Sequence, residues 1–119
     1  MKKLTIAGSR TFSDYTYLEK SVDEFIEKHF PNEDITIISG CARGADRLGE
    51  EYAKSRGYDI DSHPAQWDVY GKCAGFRRNE EMVEIADGAV LFWDGHSHGT
   101  KHDIELCTRK EIPFEVKYF

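Results

Sequence analysis

Cationic side chains, Arg10, Arg43 and Lys101, collect in or beside three glycine-bearing loops in this chain, and that arrangement suits the binding of a phosphorylated anion. Leu4-Thr5-Ile6-Ala7 runs into Gly8-Ser9-Arg10. Ile35-Thr36-Ile37-Ile38 runs into Ser39-Gly40-Cys41-Ala42-Arg43-Gly44-Ala45-Asp46. Ala89-Val90-Leu91-Phe92-Trp93 runs into Asp94-Gly95-His96-Ser97-His98-Gly99-Thr100-Lys101. Glycines let backbone N–H groups approach an anion, and a helix that follows points its positive end at it. Guanidinium groups pair with phosphate through two parallel hydrogen bonds. If the three runs are parallel strands, their loops share the sheet edge where open α/β folds bind ligands. Three loops on one edge favour a nucleotide-like ligand, which a single glycine-rich loop would not.

Each position has a plainer reading beside the functional one. Gly8, Ser9 and Arg10 hold phosphate, or form a tight turn with a surface arginine. Ser39, Gly40, Arg43 and Gly44 cradle phosphate or ribose, or the glycines only allow close strand–helix packing. Asp46 orients Arg43 or a ribose hydroxyl, or favours the dipole at a helix start. Gly95, Ser97, Gly99 and Thr100 complete the phosphate contacts. Thr100 followed by Asp103 is also the pattern of a helix capping box. Arg77, Arg78 and Asn79 open a candidate helix, where cations oppose the dipole. A bound anion would compensate, and so would salt bridges to Glu80, Glu81 or Glu84. Trp67 follows a proline-containing loop and is a candidate for base stacking. His96, His98 and His102 lack the cysteine or second ligand pair that would complete a zinc site, so no metal is assigned. Cys41 reads as a small residue in a tight loop.

The elements that position these residues follow from periodicity. Tyr17, Leu18, Val22, Phe25 and Ile26 predict a helix from about Asp14 to Lys28, capped by Ser13. Ala45, Leu48, Gly49, Tyr52 and Ala53 give a second helical face that ends at Gly57. Tyr58–Ser62 reads as a short strand. A third helix starts near Ala74 or Phe76 and turns Met82, Ile85 and Ala86 inward. A fourth follows Thr100 with Ile104 and Cys107 inward, and Pro113 ends it before a closing strand at Phe114–Tyr118. The β-α alternation predicts one α/β domain over residues 1–119, a five-stranded, mostly parallel sheet with helices on both faces.

The chain as a whole narrows the classes of function. Its 119 residues suit one domain, and its formal net charge is −6. An acidic balance weighs against nucleic acid as a partner, since Lys and Arg on phosphates supply most of that affinity. The cationic residues at the loops suit a small anion better than a polymer. Three scattered cysteines, Cys41, Cys73 and Cys107, predict a reducing, cytoplasmic setting. No apolar run approaches the ~20 residues needed to cross a bilayer, and the N-terminal pattern is not that of a signal peptide.

Ala7-Gly8-Ser9-Arg10, Ser39-Gly40-x-Ala42-Arg43-Gly44-Ala45-Asp46, Gly75-x-x-Arg78-Asn79 and Phe92-Trp93-Asp94-Gly95-x-Ser97-x-Gly99-Thr100 together resemble the YspA-like branch of the SLOG superfamily. The match runs almost the full chain, with the motifs in the family's order. The resemblance implies a compact Rossmann-like, three-layer fold with strand order 3-2-1-4-5. It further implies a nucleotide, nucleotide-derived or phosphosugar ligand, no cofactor, a tendency to form homo-oligomers, and bacterial or phage origin. Relatives include phosphoribohydrolases that release cytokinin bases and the DNA-processing protein of natural transformation. In the phosphoribohydrolases a P-G-G-x-G-T-x-x-E motif supplies phosphate-binding glycines and a catalytic glutamate, which works with an upstream arginine. Here Gly99-Thr100 matches the Gly-Thr, and Asp103 stands at the glutamate position with Glu105 as fallback. Arg77 or Arg78 would fill the arginine role. The leading proline and paired glycines are absent, and Asp is one methylene shorter than Glu. The resemblance therefore implies a ligand class rather than a reaction. Sensing or carrying the ligand, N-glycosidic hydrolysis and single-stranded nucleic-acid binding all stay open at this stage.

Overall fold

A computed structural model describes Met1–Phe119 in full. Apolar runs become the central strands β1 (Lys2–Gly8), β2 (Ile35–Ser39) and β4 (Gly88–Trp93), and two more polar segments become the edge strands β3 (Asp59–Ser62) and β5 (Phe114–Tyr118). Every pairing is parallel and the order is β3-β2-β1-β4-β5. Leu4 pairs with Ile37 on one side of β1 and with Gly88 on the other. The chain works outward from β1 to β3 and then returns to place β4 on the opposite side. Loops leaving β1 and β4 therefore diverge, and a crevice opens at the carboxyl ends of the strands.

Helices α1 (Tyr15–His29) and α2 (Ala45–Arg56) cover one face of the sheet. Leu4, Ile6, Ile37, Val90 and Phe92 point to that face and meet Leu18, Val22, Phe25, Tyr52 and Ala53. The alternate residues Ala7, Ala89 and Leu91 point to the other face. Two helices, α4 (Ala74–Ile85) and α5 (His98–Lys110), cover it through Val83 and Cys107. Between β3 and α4 lies a single turn of helix, α3 (Trp67–Tyr70), followed by a 3₁₀ turn at Gly71–Cys73. No helix is long and apolar enough to cross a membrane.

Several boundaries differ from the sequence expectation. Asp14, not Ser13, caps α1, and its Oδ1 accepts from the Tyr17 N–H at 3.1 Å. The first strong acceptor before the apolar stripe wins. Helix α4 starts at Ala74, one of the two expected positions, so Arg77 and Arg78 are its fourth and fifth residues rather than its opening ones, past the end where the helix dipole acts most. Helix α5 starts at His98 with Ser97 as its cap. Thr100 and Asp103 are thus inside the helix and do not form a capping box. That helix ends at Lys110, with Glu111 in the left-handed conformation (φ 61°), before Pro113 is reached.

Lys110 holds α5 to α4. Its ammonium donates to the carbonyls of Val83, Glu84 and Ala86 at the end of α4, where Val83 also accepts from the Ala86 N–H. Lys110→Met should keep the packing of the stem and lower stability by about 1–2 kcal/mol. An unchanged urea midpoint would show that water serves those carbonyls equally well.

Candidate functional site

The loop after β1 turns sharply. Phe12 folds back to stack on Phe92 with ring centroids 4.6 Å apart. The loop after β2 crosses beneath it. Gly44 sits at φ 82°, and a Cβ there would lie 2.5 Å from the Ser9 carbonyl oxygen. Only glycine gives both the dihedral and the close approach. Ser9 ties the first loop to the one after β4: its Oγ accepts from the Asp94 N–H at 3.2 Å and lies 2.9 Å from Ser97 Oγ. Asn79 ties α4 to the start of α5 by donating to the Gly99 carbonyl at 3.3 Å.

These ties enclose a two-lobed cleft at the carboxyl edge of the sheet. The inner lobe measures about 390 Å³ and has Ser9, Asp46, Asp94, Thr100 and Asp103 among its walls. The outer lobe measures about 340 Å³ and is lined by Arg43, Gly40, Cys41 and Pro64 among others. Arg10, Ala42, Trp67 and Arg78 line both lobes. Volumes of this order match small-ligand sites.

Arg78 is the fixed centre. Its Nε donates to Asn79 Oδ1 at 3.0 Å and its Nη1 donates to the Gly40 carbonyl. None of the protein's ion pairs involves Arg10, Arg43 or Arg78. Three carboxyl groups share the inner lobe with Arg78, and two of them are buried. Asp46 is 4% exposed and accepts from the Ala42 N–H at 3.3 Å. Burial pushes its pKa up to about 6, against the pull of Arg78 and the backbone. Asp103 is 6% exposed and has no hydrogen-bond partner in the protein. Burial, reinforced by Asp46 and opposed by Arg78, pushes it up to about 8. Asp103 is therefore protonated at neutral pH and presents an O–H to the cleft. Asp94 moves the other way: its Oδ1 accepts from the N–H groups of His96 and Ser97, each at 2.8 Å, which holds it ionised.

Most of the residues expected at the site meet there: Gly8, Ser9, Arg10, Asp46, Trp67, Arg78, Asn79, Ser97, Gly99, Thr100 and Asp103 line the inner lobe, and Gly40 and Arg43 the outer. Four do not. Ser39 is fully buried, donates to Glu50 Oε2 at 2.6 Å and accepts from the Cys41 N–H. Gly44 shapes the loop without lining the cleft, and Gly95 lies outside it. Arg77 lies over the Tyr70 ring, 4.4 Å from its centroid, and also points away. Trp67 is half exposed, and its ring rests on Gly75, where a Cβ would be 3.3 Å away. Lys72 also lines the inner lobe, unsingled by sequence reasoning because no motif contains it. The role of Asp94 was missed too. Its signal is an acidic residue at a strand end two and three residues before free N–H groups, the pattern of an Asx turn.

The fold and cleft define a Rossmann-like α/β domain with its site at the topological switch point. The family model of YAcAr, the YspA, cpYpsA-related SLOG family, matches residues 2–70, and the chain belongs to that family. It is 33% identical over 119 residues to the Gene 61 protein of Mycobacterium phage D29, covering 95% of this chain and 94% of that one. Among solved structures it is similar to DNA processing protein A from Helicobacter pylori, a protein described by its single-stranded DNA binding mode. The TM-score there is 0.66 at 18% identity. The likeness covers 97% of this chain but only 64% of that protein's chain, and it carries the fold alone.

Proposed function

We propose that the protein binds a nucleotide or a nucleotide-derived phosphosugar in the two-lobed cleft, as a sensor, carrier or sequestering protein. The observation that carries this reading is the pairing of unpaired cations with an unpartnered polar group. Arg10, Arg43 and Arg78 form no ion pair, and the buried Asp103 carboxyl faces the same cleft with no protein partner. A buried polar group left unpaired costs stability, and a ligand with hydroxyl and phosphate groups would satisfy both sets.

Hydrolysis of an N-glycosidic bond is the second reading, with Asp103 as its carboxyl. Stabilising an oxocarbenium-like state needs an ionised carboxylate. The raised pKa of Asp103 disfavours that form and suits a hydrogen-bond donor instead. Binding therefore leads. Single-stranded DNA enters through the Helicobacter neighbour, against a net charge of −6.

Thermal shift tests these readings with AMP, ADP, ATP, ADP-ribose, NAD, cyclic ADP-ribose, cyclic dinucleotides and a single-stranded oligonucleotide. A ligand at ~100-fold over its Kd adds about 2.7 kcal/mol, a rise of about 10 °C for a domain of this size. Base release from the stabilising compound would convert the reading to hydrolase. A response to the oligonucleotide alone, lost steeply with salt, would replace it with nucleic-acid binding.

A further inference from the structure

The two lobes differ sharply in charge. Arg10, Arg43 and Arg78 are the only formally charged side chains that line the outer lobe, and the nearest carboxylate, Asp46, lies behind its wall on the Ala42 N–H. The inner lobe holds Asp46, Asp94 and Asp103 against Arg10, Lys72 and Arg78. The loop after β4 is the one whose glycines and helix start most suggest a phosphate loop, yet it already contains an anion. The Asp94 carboxylate takes the N–H groups of His96 and Ser97, the donors such a loop would turn toward phosphate. Ser9 Oγ is likewise engaged, with the Asp94 N–H and Ser97 Oγ. A phosphate seated there would face the ionised Asp94 and find the His96 and Ser97 donors spent, with only the first N–H groups of α5 left to it. On the outer side, the guanidinium of Arg78 is held by Gly40 and Asn79 through Nη1 and Nε, which leaves Nη2 without a protein partner. Arg10 and Arg43 are both exposed and unpaired.

From this segregation we infer that the cleft sorts its ligand by charge: the phosphate groups occupy the outer, arginine-lined lobe, and the uncharged, hydroxyl-bearing part occupies the inner lobe against Asp103. The inference deepens the proposed function and rests on the same cleft. It sets the ligand's polarity, with phosphates toward Arg43 and Pro64 and the sugar toward α5. Trp67, which lines both lobes, stands at the junction. The ligand class that fits is one whose anionic end is compact enough for about 340 Å³, such as a diphosphate, joined to a neutral ring system.

Calorimetry with pyrophosphate, adenosine and ADP tests the assignment on wild type and on Arg43→Ala. Arg43 is exposed and makes no ion pair, so the variant should melt with the wild type. Pyrophosphate alone should bind the wild type and compete with ADP. Arg43→Ala should weaken pyrophosphate and ADP by about 10- to 100-fold, the range for a hydrogen bond to a charged group, and leave adenosine unchanged. Equal weakening of adenosine and ADP overturns the division of the cleft, as does pyrophosphate binding that ignores Arg43. Adenosine or ADP binding with no affinity for pyrophosphate also overturns it, while sparing the cleft as the nucleotide site. Pyrophosphate binding that depends on Arg43, with no nucleotide bound, supports the anion lobe and defeats the nucleotide reading instead.

Discussion

Replacing Asp103 by Asn should make the protein more stable at neutral pH, by about 2–4 kcal/mol on the scale of 1.36 kcal/mol per pKa unit. The sign follows from linkage. In the unfolded chain Asp103 has the ordinary aspartate pKa of 3.8, whereas in the fold burial pushes it up to about 8. Between those values the folded state holds a proton that the unfolded state has released. Stability contributed by this group is therefore greatest below about pH 4 and falls as pH rises toward 8. Asn keeps the shape and stays neutral throughout. Wild type and variant should match near pH 4, diverge through neutrality and run parallel above pH 8. Differential scanning calorimetry at pH 4.5, 6 and 8 reads this directly. A variant less stable than wild type at pH 8 would mean that the carboxylate is satisfied inside the fold, and Asp103 would lose its place as a group reserved for a ligand. A gain in stability accompanied by weaker ligand binding is the expected trade at a functional position.

The same residue shows what the sequence carries and what it hides. The sheet was legible because buried parallel strands read as apolar runs and amphipathic helices repeat on their own period. Strand order, by contrast, came from family resemblance, since periodicity does not say which strands are neighbours. Thr100 and Asp103 form the spacing of a capping box, yet the cap is Ser97 and both residues turn into the cleft. A four-residue pattern is the same whether its side chains close a helix end or line a cavity a turn further in. Arg77 and Arg78 are adjacent and chemically equal, and helix phase alone sends one to Tyr70 and the other to Gly40. Ser39 carries a hydroxyl in a glycine-rich loop, yet strand alternation buries it against Glu50. The turn at Trp67–Tyr70 has no apolar stripe because it buries nothing. Its consequence is to set Trp67 over the cleft.

Gly40→Ala should abolish tight anion binding while leaving the fold standing, because the space at Gly40 is taken by the tips of two functional side chains. A Cβ there would lie 2.5 Å from Arg78 Nη1 and 2.6 Å from Asp46 Oδ2. Gly40 does not occupy the left-handed region, so alanine meets no backbone strain. Asp46 is packed inside the protein and has little freedom. Arg78 is the longer and less buried of the two, so its guanidinium must leave the Gly40 carbonyl. That movement withdraws one of the two guanidinium groups lining both lobes and removes the positive charge that offsets Asp46 and Asp103. Affinity for pyrophosphate should fall about 100-fold or more, as for loss of a charge-assisted pair, with stability lower by about 1–3 kcal/mol from crowding. A double-mutant cycle with Arg78→Ala isolates the cause. If Gly40 acts through Arg78, adding Gly40→Ala to Arg78→Ala changes pyrophosphate affinity no further. An additional loss of similar size in the double variant would show that Gly40 serves the anion through its own backbone approach, and the guanidinium would no longer be the reason for the glycine.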